Sequence, residues 1–213
     1  MFELNKINLI VSCPNNGGLI HIKNGKQIVI DRLGTTGICY GNNNFYRAIQ
    51  HQNFSEIVVY SKDEEKFSII HRDIKDIHDL YYFNNSLFIV STSTNEIIKL
   101  DNNYKIDKKY KFQGSGDAWH LNCLEVINGR LYVSAFCIYK EHYNYKGKTY
   151  EKGFLIDVLN GDILIEQLSQ PHTPKFDNGL IYLCDSETKT LKVFKDNNLI
   201  NNIELDSYTR GLY

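Results

Sequence analysis

Six residues of the chain have side chains that could bind or transform a small molecule. They are Asp76, His78, Asp79, His120, His172 and Arg210. Three imidazoles from separate strands can hold a divalent metal ion, with a carboxylate as a ligand or as an orienting partner. Alternatively, one histidine acts as a general base while the arginine grips a carboxylate or phosphate. In a third interpretation, the same groups only hydrogen-bond a sugar or another polar ligand.

Most of these residues fall at one position of a sequence repeat. The lead positions of the successive copies are Thr36, His78, Asn122, His172 and Arg210. The first four are spaced by 42, 44 and 50 residues. Each of these four leads precedes a short apolar strand, a polar turn and a second apolar strand, and a further hairpin follows. Four strands in about 40–45 residues is the period of a β-propeller blade.

The repeat predicts an all-β fold, a five-bladed β-propeller that forms a single domain over residues 1–213. Residues 7–33 supply three strands, whereas a blade needs four. Residues 209–213 match the strands that begin at Thr36 and His78. We therefore predict that the C-terminal strand pairs beside residues 7–13 and closes the first blade, which removes two sheet edges. The alternative is a truncated larger propeller.

The innermost strands of a propeller surround a channel, so we expect the lead side chains to meet at one mouth. The candidate catalytic residues are His78, His120 and His172, which are also the candidate metal ligands. Candidate ligand-binding residues are Thr36, Asp79, Asn122 and Arg210. The structural alternative is a set of polar groups that line a water-filled channel. Two further polar segments, residues 91–92 and 184–186, end the second strands and are expected at the opposite end of their sheets.

Composition excludes several classes of function. The formal net charge is −1, from 24 basic and 25 acidic residues, so no global field favours nucleic acid or a membrane surface. The sequence shows no signal peptide and no apolar span, and its five cysteines have no CxxC spacing. We expect reduced cysteines packed in strands and a cytoplasmic protein. Oligomeric state is not indicated.

Several motifs resemble those of a family of bacterial β-propeller proteins described as a conserved domain of unknown function. The motifs are Asp76-Ile77-His78-Asp79-Leu80, His120-Leu121-Asn122, Gly153-Phe154-Leu155-Ile156-Asp157-Val158, Gln170-Pro171-His172-Thr173-Pro174 and Tyr208-Thr209-Arg210-Gly211-Leu212. The resemblance covers residues from about 74 to 213 and implies a propeller, but it supplies no activity. A fainter resemblance, at the level of the fold, is to gluconolactonase-like propellers with a metal in the channel.

These observations favour a small-molecule site at the channel mouth. The expected ligand is a sugar derivative or a carboxylated metabolite, because Arg210 offers an anion clamp. If the site is catalytic, metal-assisted or histidine-mediated hydrolase, lyase or isomerase chemistry is expected, and a divalent metal is the cofactor to consider. The alternative function is a non-catalytic interaction scaffold. Its working surface would include a tyrosine-rich insertion at residues 138–152, which could instead act as a lid.

Overall fold

The computed structural model describes residues 8–61 and 66–212. Their strands form five antiparallel sheets arranged as a five-bladed β-propeller, which confirms the predicted fold class. The first sheet contains β1 (Asn8–Cys13), β2 (Gly18–Lys23) and β3 (Lys26–Asp31). The second contains β4 (Thr35–Gly41), β5 (Asn44–Gln50), β6 (Ser55–Tyr60) and β7 (Lys66–Ile70). The third contains β8 (Ile77–Phe83), β9 (Ser86–Ser91), β10 (Glu96–Leu100) and β11 (Ile106–Lys111). The fourth contains β12 (Leu121–Ile127), β13 (Arg130–Ala135), β14 (Gly153–Asp157) and β15 (Ile163–Leu168). The fifth contains β16 (Pro171–Asp177), β17 (Leu180–Asp185), β18 (Thr190–Lys195) and β19 (Asn198–Glu204).

Tight turns link the first two strands of each repeat. Asn128 and Gly129 have φ values of 48° and 78°, and Asn178 and Gly179 have φ values of 49° and 78°. Two successive residues with positive φ match the right-handed twist of the strands that they join. These two-residue turns fix the register of each hairpin. The register in turn determines which residue lies at the start of the inner strand.

The first strands of the four complete sheets pack side by side in chain order: β4 against β8, β8 against β12, and β12 against β16. The approach of β4 to β8 requires a glycine. A Cβ atom on Gly37 would lie 3.0 Å from the Cα of Asp79. This row of inner strands is the part of the fold that positions the candidate site.

Apolar side chains fill the spaces between neighbouring sheets. Ala48, Val59, Ile89 and Ile98 are fully buried where the second sheet meets the third. Similar clusters occupy the next two spaces along the ring. The side chains on both faces of a middle strand such as β9 are buried, because each inner sheet is covered from both sides.

The first sheet has three strands in the described part of the chain, and the predicted fourth strand is not formed. Residues 205–212 contain no strand. Instead, the hydroxyl of Thr173 donates to the carbonyl of Arg210, and that of Ser186 donates to the carbonyl of Thr209. The C-terminal segment therefore runs beside the start of the fifth sheet, where side-chain hydroxyls engage its carbonyls. The predicted pairing of this segment with residues 7–13 is wrong for the described residues; Ile7 and Tyr213 lie outside them.

All five cysteines are free, as predicted, although Cys137 lies just after β13 and not in a strand. Across residues 8–61 and 66–212, no helix is long and apolar enough to cross a membrane.

Candidate functional site

The lead residues occupy the same place in each complete sheet. Thr36, His78, Asn122 and His172 are each the second residue of an inner strand. Arg210 lies in the C-terminal segment beside the fifth sheet. This equivalence confirms the repeat alignment for the four strand residues.

The residues two positions before the leads turn the chain into each inner strand. Asp76, His120 and Gln170 have φ values of 55°, 52° and 52°, in the left-handed region that non-glycine residues seldom adopt. Their carbonyl groups or those of adjacent residues accept backbone hydrogen bonds from the ends of the neighbouring second strands, as when Thr92 N–H donates to Asp76. The turns therefore hold these side chains at the mouth together with the leads.

Aromatic contacts connect the three candidate histidines. The ring centroids of His78 and His120 are 4.9 Å apart, and the His120 ring lies 4.3 Å from that of Phe136. Phe136 in turn meets the His172 ring at 5.3 Å. The histidines thus share one group, but a phenylalanine separates His172 from the other two.

His172 anchors the C-terminal arginine. Its Nδ1 lies 2.9 Å from the carbonyl oxygen of Gln170, which can only accept a hydrogen bond, so Nδ1 carries the proton. Its Nε2 therefore accepts from Asn122 Nδ2 at 3.1 Å and from Arg210 Nε at 3.3 Å. Burial and the nearby Arg210 charge lower the pKa of His172 to about 3, so this ring stays neutral over the physiological range.

His78 is also held neutral, and its outer nitrogen is open. Burial lowers the pKa of His78, and the charges of His120 and Arg210 act in the same direction. Asp76 opposes this effect through its charge, and its carbonyl oxygen lies 3.4 Å from His78 Nδ1. The Nε2 atoms of His78 and His120 have no hydrogen-bond partner among the described residues, and they are not among the buried unpartnered atoms. Both atoms are therefore not fully buried.

Asp117 and Tyr145 join the site through His120. The Asp117 side chain is 1% exposed; its Oδ2 lies 2.9 Å from His120 Nδ1 and accepts from the Tyr145 hydroxyl at 2.8 Å. The same hydroxyl is 2.8 Å from His120 Nδ1. Asp117 Oδ1 is buried and has no hydrogen-bond partner among the described residues. Neither residue is among those that the repeat pattern predicts for the site.

Two predicted site residues have no hydrogen bond to the histidines among the described residues. Thr36 Oγ1 is buried without a hydrogen-bond partner in the described part of the chain. Asp79 points its oxygens at the backbone N–H groups of Leu80 and Leu124, at 2.9 and 2.8 Å, so it links two inner strands.

The three histidines do not form a shared metal site in this arrangement. Within the described ranges, no group of three or more His, Cys, Asp or Glu side chains could hold a metal ion. The lone pair of His172 Nε2 already accepts two hydrogen bonds, and His120 Nδ1 faces Asp117. The residues present therefore do not fit the metal that the sequence analysis considers.

Polar residues at the ends of second strands lie at the mouth and not at the opposite end. Ser186 Oγ is 2.8 Å from His172 Nδ1, and Ser91 Oγ donates to the carbonyl of Lys75, close to Asp76. The sequence-based expectation was wrong because β16 and β17 are antiparallel, so Pro171 pairs with Asp185. Antiparallel pairing brings the end of a second strand to the start of the first.

The insertion at residues 138–152 forms turns without a strand, and part of it covers the mouth. Tyr145 packs on Phe136 and His120, with ring centroids 6.1 and 5.0 Å apart. Two cavities are lined by other residues. One is lined in part by Tyr46, Tyr82 and Tyr104, and a second by residues 137–139 with Lys152. The insertion borders the mouth through Tyr145, and the C-terminal segment borders it through Arg210.

Most of the chain matches one known protein family. Residues 57–213 match the domain of unknown function DUF4915. The chain belongs to this family. The match agrees with the resemblance seen in the motifs around His78, His172 and Arg210, and it brings no activity with it.

Solved structures similar to this DUF4915 protein share its fold at low sequence identity. A streptogramin B lyase is 14% identical with a TM-score of 0.59, over 93% of this chain and 68% of the lyase. A protein of unknown function from Bacteroides caccae is 12% identical with a TM-score of 0.62, over 93% and 78%. A candidate 6-phosphogluconolactonase from Bacteroides fragilis NCTC 9343 is 13% identical with a TM-score of 0.60, over 93% and 67%. Comparison with curated proteins gives no match. The similarities support the propeller fold alone.

Proposed function

We propose that the channel mouth binds a small hydroxylated carboxylate, such as a sugar acid. The observation that carries the proposal is the state of Arg210. Its Nε donates to the neutral His172, and its terminal guanidinium nitrogens have no partner among the described residues. An arginine held by one nitrogen and free at the others is prepared to receive a carboxylate.

The neighbouring imidazoles favour hydroxyl groups on the same ligand. Because Nδ1 of His120 faces Asp117 and Nδ1 of His78 faces Asp76, the open Nε2 atoms present lone pairs. A lone pair accepts from a hydroxyl, whereas it repels a carboxylate oxygen. A ligand with one carboxylate and adjacent hydroxyls would therefore satisfy Arg210 and both histidines together.

Isothermal titration calorimetry with gluconate, malonate and inorganic phosphate tests the proposal. Gluconate is expected to bind most tightly, since malonate and phosphate lack its row of hydroxyls. Arg210→Gln should weaken gluconate binding at least about tenfold, the effect of losing one charge-assisted contact. The matched control is Arg72→Gln, which changes an exposed arginine outside the site and should bind as wild type. The proposal is wrong if no member of the set binds, or if Arg210→Gln binds gluconate as well as wild type.

The insertion supports a second candidate, a surface for protein partners. Tyr143 and Tyr150 are 40% and 60% exposed, and exposed aromatic residues are common at interaction sites. The two functions are separable, because Tyr150→Phe changes the insertion without touching the mouth.

A further inference from the structure

Asp117, His120 and Tyr145 form a hydrogen-bonded group at the mouth, and the proposed binding of a carboxylate by Arg210 does not require it. Three atoms, Asp117 Oδ2, His120 Nδ1 and the Tyr145 hydroxyl, lie within 2.8–2.9 Å of one another. The carboxylate is almost fully buried, with the Asp117 side chain 1% exposed. A buried carboxylate needs strong hydrogen-bond donors, because burial removes its water.

The hydrogen-bond requirements determine which nitrogen of His120 carries the proton. An ionised carboxylate only accepts, so both Tyr145 O–H and His120 Nδ1–H donate to Asp117. The opposite tautomer would set the Nδ1 lone pair against a carboxylate oxygen at 2.9 Å, which is repulsive. Asp117 therefore keeps the proton on Nδ1 and leaves a lone pair on Nε2.

The Nε2 atom of His120 has no hydrogen-bond partner among the described residues, and a second imidazole lies beside its ring. The ring centroids of His78 and His120 are 4.9 Å apart, and Arg210 lies beside His172, the third histidine of the group. A base whose tautomer is fixed by a carboxylate is the arrangement used to activate a hydroxyl or a water molecule.

We infer that His120 is a general base that activates water to hydrolyse an ester or lactone bearing a free carboxylate, with Asp117 and Tyr145 as positioning residues. This inference rests on the proposed binding of a carboxylate by Arg210. His120 Nε2 takes a proton from water as the water oxygen bonds to the carbonyl carbon. The π electron pair moves to the carbonyl oxygen. When the tetrahedral intermediate collapses, the bond from carbon to the alcohol oxygen breaks, and the alcohol takes the proton from the imidazolium. One water is consumed, and His120 returns to its neutral form.

The tautomer is tested first, because it does not depend on any substrate. Long-range ¹H–¹⁵N spectra of protein labelled at histidine should show His120 with a protonated Nδ1 and a bare Nε2. Asp117→Asn should move the proton to Nε2, since an asparagine NH₂ group can donate to Nδ1 where the carboxylate could only accept. Tyr150→Phe, at an exposed tyrosine of the same insertion, is the control and should leave the spectrum unchanged. A wild-type His120 that is protonated at Nε2 would overturn the inference.

Hydrolysis is tested with mono(4-nitrophenyl) glutarate, whose carboxylate suits Arg210, and with uncharged 4-nitrophenyl butyrate. Wild type should accelerate hydrolysis of the charged ester over its enzyme-free rate by a larger factor than that of the uncharged ester, and His120→Gln should lose this acceleration by about 100-fold or more, the usual contribution of a general base. Tyr145→Phe should reduce kcat with little change in KM, because the residue orients the base and does not bind substrate. This variant retains the ring, so it keeps the test available if Asp117→Asn fails to fold.

The outcomes separate the two proposals. Arg210-dependent binding of gluconate without His120-dependent hydrolysis would disprove the general-base role and leave carboxylate binding standing. Hydrolysis that needs His120 but is indifferent to Arg210 and to the ester's charge would support the base and disprove the carboxylate clamp. Activity of His120→Gln equal to wild type would overturn the inference outright.

Discussion

His172 is buried and still keeps a positively charged neighbour at hydrogen-bond distance. This combination is possible because the ring is neutral: Nδ1–H donates to the carbonyl oxygen of Gln170, and the Nε2 lone pair accepts from Asn122 and Arg210. Protonation would remove that lone pair and bring two cations together. The low pKa of His172, about 3, follows from burial and from Arg210.

The free energy of unfolding should therefore depend on His172 in acid. Between the ordinary pKa of 6.5 and the folded value of about 3, the unfolded chain binds the proton and the folded protein does not. The free energy of unfolding is therefore unaffected by His172 above pH 6.5 and decreases as the pH falls below it. Near pH 4.5, His172 alone should lower it by about 2–3 kcal/mol. Urea unfolding at about pH 7 and pH 4.5 should show that His172→Gln loses less free energy of unfolding between these two pH values than wild type does. An equal loss in both proteins would contradict the assignment.

Some residues of the site can be predicted from the sequence, and others cannot. The leads Thr36, His78, Asn122 and His172 could be aligned because asparagine-containing turns fix the strand register locally. Asp117 and Tyr145 could not be found in this way, since neither has a counterpart in the repeat. Tyr145 reaches His120 through the path of an insertion, which depends on tertiary contacts and not on local pattern.

At the scale of elements, Asp79 joins two inner strands. Its two oxygens accept from the N–H groups of Leu80 in β8 and Leu124 in β12. Burial raises the pKa of Asp79 to about 7, although the backbone donors and the Lys175 charge oppose this. The position of Asp79 next to His78 predicts a ligand-binding role, because the sequence does not show that its oxygens face backbone N–H groups.

The pH dependence from Asp79 should have the opposite sign to that from His172. The folded protein holds a proton on this carboxyl up to about pH 7, whereas the unfolded chain releases it near 3.8. The contribution of Asp79 to the free energy of unfolding is therefore fully present below about pH 3.8, and it is lost as the pH rises through about 7. Asp79→Asn should be less stable than wild type at about pH 5, because one backbone donor loses its acceptor, but should show a weaker decline towards pH 8. Denaturant midpoints at these two values check the prediction, which fails if the two proteins decline in parallel.

At the scale of the whole molecule, the repeat period predicted five sheets, because each blade is a local unit of four successive strands. It did not predict how the ring ends meet. Sequence similarity between residues 209–213 and the inner strands shows only that the segment could form a strand. Its observed place is decided by the hydroxyls of Thr173 and Ser186, which engage its carbonyls beside the fifth sheet. The sequence repeat does not reveal whether these hydroxyl–carbonyl hydrogen bonds or backbone pairing with the first sheet is more stable.

Truncation separates closure of the ring from formation of the site. Removing residues 208–213 deletes Arg210 and the Tyr208 hydroxyl, which donates to Gln170 Oε1 at 2.6 Å, but it breaks no strand pairing in the described residues. The lost hydrogen bonds are each worth about 0.5–1.5 kcal/mol, so the truncated protein should stay soluble and unfold cooperatively. Its gluconate affinity should fall to that of Arg210→Gln. A chain lacking only residues 211–213 retains Arg210 and should bind as wild type. Expression of the longer truncation as insoluble protein, beside a soluble shorter one, would show instead that residues 208–210 are needed to complete the fold.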